Sequence, residues 1–338
     1  MYQFAKEENY HFHVLDIARQ MGYKLVVLIR QGQGLIQKDP LFKDDITVID
    51  YKNIFHYLYQ VIRFTLKGAI FYVNSIELQS LLVPFISRKA VFFAHTQPVR
   101  QTRFKQIIFN FVMKLFKKIR LNNFEEKNFL LNQGIKEQKL CVVSLAISID
   151  NYKFNNDYSR RTGLVCFGNI TFKKNLPTVI KAFEVVLRSK PGLKLNIIGQ
   201  ILEDNVTGLI KEKSLEQNVV FHNFLPLEQV SETLNKFSIY VNSSLDEGQC
   251  VAVYNAALSG CALCLPKTMS FVGVFKDKAL FHDSVDHETL AQNILHYLEN
   301  KEIAEKHNKL AREMIMRDYH YQKLSGELVK LFDYKYEN

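Results

Sequence analysis

Short apolar runs recur along this chain, and most are followed by stretches in which apolar positions return every three or four residues. The first such stretch, His13 to Met21, predicts a helix on Val14, Leu15, Ile17, Ala18 and Met21, closed by Gly22 before a strand from Lys24 to Ile29. Strands are then predicted at Ile46–Ile49, Ile70–Val73 and Ala90–Ala94, separated by helices at Ile54–Phe64 and Ile76–Pro84. The pattern continues with a strand at Lys118–Asn122, a helix at Asn123–Leu131 and a strand at Leu140–Leu145. After the polar stretch Asn155–Thr162 it resumes with strands at Gly163–Phe167, Leu193–Ile198, Val219–Phe221, Ser238–Val241 and Ala279–His282, and helices at Leu176–Leu187, Glu288–Leu298, Glu302–Tyr319 and Gln322–Tyr334. Strands alternating with helices predict a mainly parallel sheet, and the polar stretch predicts a domain boundary.

The stretch Ile239–Pro266 organises the second half. An apolar run ends in Asn242-Ser243-Ser244, an acidic turn Asp246-Glu247-Gly248 follows, and a small-residue helix climbs to Gly260 before another apolar run. A helix that starts at the carboxyl edge of a parallel strand points free N–H groups and a partial positive charge at that edge, so an anion is its natural occupant. Glu247 then stands beside the anion, where a hydroxyl-rich group attached to a phosphate, such as a sugar, suits it better than the phosphate itself. A second cradle of this kind is predicted at Gly168-Asn169, followed by Lys173-Lys174-Asn175 before a helix. Taken alone, that lysine pair reads as a solvated helix start. His95 closes another apolar run at a strand edge, where it either bonds nearby backbone or faces a ligand.

Length adds that 338 residues exceed what one core usually serves, so two domains are expected. No apolar run reaches the ~18 residues of a membrane-spanning helix. The opening MYQFAKEENY lacks the basic-then-apolar order of a secretory signal, so cytoplasmic residence is expected. Five cysteines in strands and loops do not form a disulfide framework, and Cys261 and Cys264, three apart in a strand, point to opposite faces. His11 and His13 lack a third ligand nearby.

The net charge of +10 implies an acidic partner. The stretch Val99–Asn123 is basic and apolar at once, with Arg100, Arg103, Lys105, Lys114, Lys117, Lys118 and Arg120 and no acidic residue. Phe104, Ile107, Ile108, Phe111, Val112, Leu115 and Phe116 recur in it at helical spacing. Two readings stand side by side: a helix lying on an anionic membrane surface, or a core helix with a solvated basic edge. Nucleic acid is not expected as a partner, because no recognition module accompanies the charge.

The Asp246–Gly260 pattern resembles the Glu-x7-Glu signature of retaining GT-B glycosyltransferases (glycosyl transferases group 1, family 4 type). Glu247 and Gly248 match its first half, Gln249, Cys250 and Val251 continue the loop, and Asn255 stands where the family has its second Glu. Ile149, Asp150 and Phe154 match the family's interdomain passage. Gly168 and Lys174-Asn175 match its phosphate loop, with Asn169 in place of an arginine. Val219–Phe221 resembles the strand bordering the nucleotide base, with Asn223 replacing a glycine before Phe224.

The resemblance implies an α/β GT-B fold of two Rossmann-like, doubly wound domains facing across a cleft. It divides the chain into an acceptor-side domain (1–155), whose first strand is short or missing, a donor nucleotide-sugar domain (156–319) and a returning C-terminal helix (320–338). It also implies transfer of a sugar from a nucleoside-diphosphate sugar, uridine or guanosine, to a glycan or lipid-linked acceptor, with retention and without metal. In that scheme Glu247 holds the sugar, His95 contacts it from the facing domain, and Lys173 and Lys174 meet the diphosphate in a crevice shared with Glu247. Arg100, Arg103, Lys105, Lys114, Lys117 and Lys118 offer a membrane or acceptor surface, which would place the protein peripherally on an inner membrane face. The changes at Asn169 and Asn255 keep a second expectation open, a non-catalytic relative that retains the fold as a partner subunit or scaffold.

Overall fold

The computed structural model describes residues 10–30, 46–73, 77–93, 103–144, 147, 149, 152, 157–204, 206–222 and 225–332. The chain divides into two units, residues 1–148 with 319–338, and residues 149–318. The first boundary thus falls seven residues before the predicted one. Ile147 still belongs to the first unit because it bridges to His320 and its N–H donates to the Tyr319 carbonyl.

In the first unit β1 (Leu25–Arg30) and β2 (Ile46–Tyr51) form a parallel pair. A four-stranded parallel sheet runs β3 (Phe71–Val73), β4 (Ala90–Phe93), β5 (Lys118–Leu121), β6 (Leu140–Val142). Helices Ile54–Leu66 and Arg103–Met113 share one core with this sheet, through Tyr57, Val61, Phe92, Phe109, Val112 and Ile119. The opposite core joins Val14 and Ile17 of the first helix to Leu328, Leu331 and Phe332 of the C-terminal helix Tyr321–Phe332, around Val91 and Val143. The leucines at 324, 328 and 331 recur at helical spacing and are buried, which draws this helix back onto the first unit.

The basic stretch does not continue as one helix. The helix ends at Met113, Lys139 Nζ donates to the carbonyls of Lys114 (2.6 Å) and Phe116 (2.9 Å), and Lys117 N–H joins Ala90 as β5 begins. Arg120, on β5, is buried. It donates to the Val143 and Ser144 carbonyls and the Tyr72 hydroxyl, and lies 4.4 Å over the Phe93 ring, so its charge serves the sheet.

The second unit holds one six-stranded parallel sheet: β7 (Leu164–Phe167), β8 (Leu195–Ile198), β9 (Val219–His222), β10 (Ile239–Val241), β11 (Ala262–Pro266) and β12 (Leu280–His282). Their spatial order is β12-β11-β10-β7-β8-β9. Strands added outward in both directions from β7 make a doubly wound sheet whose order reverses between β7 and β10. At such a reversal the connections leave in opposite directions, opening a crevice at the strands' carboxyl ends. Helix Leu176–Leu187 buries Leu176, Val179, Ile180, Phe183 and Val186 against helix His287–Glu299 and the sheet.

Candidate functional site

Both sequence-predicted cradles lie at the carboxyl ends of β7 and β10, the two strands flanking the reversal. Gly168 follows the last residue of β7; its φ of 122° is open to glycine, and its N–H donates to the Ile198 carbonyl. Gly199, at the end of β8, has φ 148°, and a Cβ there would overlap the Gly168 carbonyl. These two glycines let neighbouring backbones meet at the crevice mouth.

Past Gly168 the chain makes a short 3-10 turn over Phe172–Lys174 and passes through Asn175 in the left-handed region, φ 49° and ψ 43°. Asn175 tolerates that conformation because its amide donates to Thr178 Oγ1 (3.0 Å) and the Ser284 carbonyl (2.6 Å), fixing the turn to the loop after β12. The loop after β10 is tied in as well: Leu245 N–H donates to the Lys173 carbonyl at 2.8 Å. Asn242 Oδ1 accepts from Ser244 N–H, and Ser243 Oγ donates to the Ser284 carbonyl.

This bracing brings together two residues 73 apart in sequence. Lys174 Nζ lies 2.6 Å from Glu247 Oε1 and 3.4 Å from Cys250 Sγ, and Ser244 Oγ donates to the same Glu247 oxygen at 2.8 Å. The side chains retain 24% and 15% exposure, so each keeps a route to solvent. Both bonds to the carboxylate use Oε1, leaving Oε2 to accept another donor. Ser270 Oγ donates to the Glu247 carbonyl and fixes the turn from its other side.

Burial works against the Lys174 ammonium, but Cys250 and Glu247 outweigh it and hold its pKa above the ordinary lysine value. Cys250 is itself a neutral thiol near pH 7, its pKa pushed up to about 11 by burial first and by Glu247 second. Glu247 is therefore the charge that retains the Lys174 proton. Behind the pair, Gly168, Asn169, Tyr240 and Asn242 line a narrow crevice. Helix Val251–Leu258 starts beside it at Cys250, whose own side chain does not cap the first turn.

Among the predicted site residues, Gly168, Asn169, Lys174, Glu247 and Cys250 come together here. Gly248, Gln249 and Val251 lie half-buried in the same loop and helix start, whereas the Lys173 side chain is exposed. Asn255 is 2% exposed with Oδ1 unpartnered, one helical turn beyond the crevice. Lys114 and Lys117 are exposed, and Lys118 donates to the Lys330 carbonyl from β5. Arg103 and Lys105 sit on helix Arg103–Met113. His95, Arg100, Asn223 and Phe224 lie outside the described residues. Ser244, Ser270 and Ser284 went unpredicted, because a serine, in a loop or at a helix start, gives no sign of which distant atom it will reach.

Residues 149–314 match the family described as Glycosyl transferases group 1, a span that nearly coincides with the second unit. No curated protein matches the chain in sequence. Among solved structures, TarM of S. aureus is similar at 18% identity and TM-score 0.68, over 84% of this chain and 59% of TarM. This chain therefore spans a little under three fifths of that protein. A glycosyltransferase from Rickettsia africae is similar at 14% identity and TM-score 0.77, covering 96% of this chain and 93% of its own. HepE of Anabaena, solved in complex with UDP, is similar at 14% identity and TM-score 0.77 over 95% of both chains. These likenesses, with the parallel sheets of both units, show the fold to be α/β of the GT-B type with two Rossmann-like domains.

Proposed function

We propose that this protein is a glycosyltransferase that takes a sugar from a nucleoside-diphosphate sugar and passes it, with retention of anomeric configuration and without metal, to a glycan or lipid-linked acceptor. The observation that carries the reading is the Lys174–Glu247 pair at the strand-order reversal: one cation and one carboxylate, each with a face open to solvent. The family match over residues 149–314 and the UDP complex of HepE support it and make a UDP-sugar the first donor to test.

The difficult step in such a transfer is departure of the nucleoside diphosphate from the anomeric carbon, when negative charge grows on the leaving phosphate. Lys174 and the start of helix Val251–Leu258 supply fixed positive charge where that growth occurs. Glu247 Oε2 accepts from sugar hydroxyls and favours positive charge developing at the anomeric carbon. Asn169, lining the crevice where the resembling family has arginine, contributes a neutral donor and leaves the diphosphate charge to Lys174.

A second reading, a non-catalytic partner subunit that keeps the fold, is favoured by Asn255, which is too buried to reach a ribose. A panel of UDP- and GDP-sugars separates the two. The transferase reading expects one donor to raise the melting temperature and be hydrolysed, with hydrolysis falling ~100-fold or more in Lys174→Met. A chain that no donor stabilises, and that hydrolyses none, would refute it in favour of the partner subunit.

A further inference from the structure

The first unit carries an outward apolar face that its own core does not use. On helix Ile54–Leu66, Tyr57, Gln60 and Val61 turn inward, while Phe55, Tyr59, Ile62 and Leu66 form a stripe on the opposite side. Phe55 is 79% exposed and Leu66 84%. The stripe is not isolated. Helix Ile54–Leu66 packs against the short helices Leu78–Leu81 and Val83–Ile86, and Phe85 of the latter meets Phe111 of helix Arg103–Met113 with ring centroids 6.4 Å apart. Phe85, Phe111 and Ile107 are all exposed, and helices Ile54–Leu66, Val83–Ile86 and Arg103–Met113 all contribute buried side chains to one core. A helix apolar on both faces has a second partner to cover.

Charge identifies that partner. Residues 52–123 contain twelve Lys and Arg and one acidic residue, Glu77. The rest of the chain holds 32 basic and 33 acidic side chains, so the whole excess of +10 resides in the stretch that builds this surface. Helices Ile54–Leu66 and Arg103–Met113 contain no acidic residue, Lys52, Arg63 and Lys67 are exposed on or next to the first of them, and Arg88, Lys89 and Lys114 are exposed elsewhere in the same stretch. A second copy of the chain would bring the same excess positive charge against it and be repelled. An anionic lipid bilayer offers hydrocarbon for the aromatic and aliphatic groups and phosphate for the cations at the same depth. Among the described residues no helix is long and apolar enough to cross a membrane.

We infer that the outer faces of helices Ile54–Leu66, Val83–Ile86 and Arg103–Met113 are a docking surface for an anionic membrane, with the Phe55–Leu66 stripe as its inserted edge. The basic segment singled out in the sequence supplies one flank, and the helix at its centre was not marked by charge at all. This inference is independent of the transfer reading, since it stands on the first unit alone.

The test is co-sedimentation of the full chain with vesicles of phosphatidylcholine, and with vesicles in which about a third is phosphatidylglycerol. Binding is expected on the anionic vesicles, weakening as salt rises, and at least about tenfold weaker on phosphatidylcholine alone. The variant Phe55→Ser/Tyr59→Ser/Leu66→Ser changes only solvent-facing groups, so its melting temperature should hold while vesicle affinity falls about tenfold or more. Arg63→Glu/Lys67→Glu should weaken anionic binding about fivefold for each unit of positive charge lost. UDP affinity, measured on the same samples, should not move. A chain that stays in the supernatant with anionic vesicles overturns the inference, as does a serine variant that sediments like the wild type. A wild-type dimer that the serine substitutions abolish would assign the face to a second copy instead.

Discussion

Glu247→Gln should bind UDP more tightly than the wild type while transferring sugar far more slowly. Among the described residues, the cation at the crevice is shared, since Lys174 Nζ already spends a 2.6 Å bond on Glu247. A phosphate oxygen accepting from the same ammonium would sit roughly 4–5 Å from the carboxylate, the spacing of two acceptors on one nitrogen. Two negative charges at that distance repel by about 4 kcal/mol at an effective dielectric of 20. Partial exposure of both side chains, 24% and 15%, lets solvent and counterions reduce this to about 1–2 kcal/mol. Glutamine keeps an acceptor for Lys174 and Ser244 but removes the repulsion, so UDP affinity should rise about fivefold to thirtyfold. Isothermal titration with UDP at low salt measures it, and the gain should shrink as salt is added. Transfer moves the other way, because glutamine binds sugar hydroxyls without the charge that favours departure of the diphosphate; a fall of about 100-fold or more is expected. Should Glu247→Gln weaken UDP binding or leave it unchanged, Lys174 is not the group that meets the diphosphate.

Gly199→Ala forces a Cβ into the Gly168 carbonyl at φ 148°, so it should lower stability by about 2–4 kcal/mol and widen the crevice mouth, read as a lower melting temperature and weaker UDP binding. His282 is fully buried with its pKa pushed down to about 4, by burial first and against the pull of Asp286 and Asp283. Its unfolded form takes up protons first, so it contributes stability above about pH 6.5 that is lost as pH falls toward 4, at most about 3 kcal/mol. Glu126 is the opposite case. Burial pushes its pKa up to about 7 despite the bonds from Asn122, so it contributes stability at low pH that is lost as pH rises from about 4.5 through 7. The two slopes oppose each other from about pH 4.5 to 6.5. In that window stability should rise with pH in Glu126→Gln and fall with pH in His282→Gln, and denaturant titrations giving parallel slopes would contradict both assignments.

The alternation of apolar runs and helical stretches was enough to read a parallel α/β chain, because a strand buried on both faces, such as Ala262–Pro266, must be apolar throughout. Locating the site needed one further step. Gly168, Lys174 and Glu247 could each be placed at a strand's carboxyl end from sequence, but only the strand order makes β7 and β10 neighbours and closes 73 residues into one ion pair. The outer stripe of helix Ile54–Leu66 was illegible for a different reason. Phe55, Tyr59, Ile62 and Leu66 have the same helical spacing whether they face a core or a solvent, and periodicity does not say which of two apolar sides is inside.

An arginine in place of Asn169 would put a second cation at the crevice, and Lys174 could then serve Glu247 while the guanidinium served an incoming diphosphate. With a neutral amide there, Lys174 is left to serve both acceptors, and an anion that reaches its ammonium competes with Glu247 for it. A site built this way should bind a bare nucleoside diphosphate weakly. It holds one better when an attached sugar gives Glu247 hydroxyl donors in exchange for the ammonium, so this chain should prefer the intact nucleotide sugar over the free diphosphate. Glu247→Gln, which no longer needs that exchange, should lose the preference.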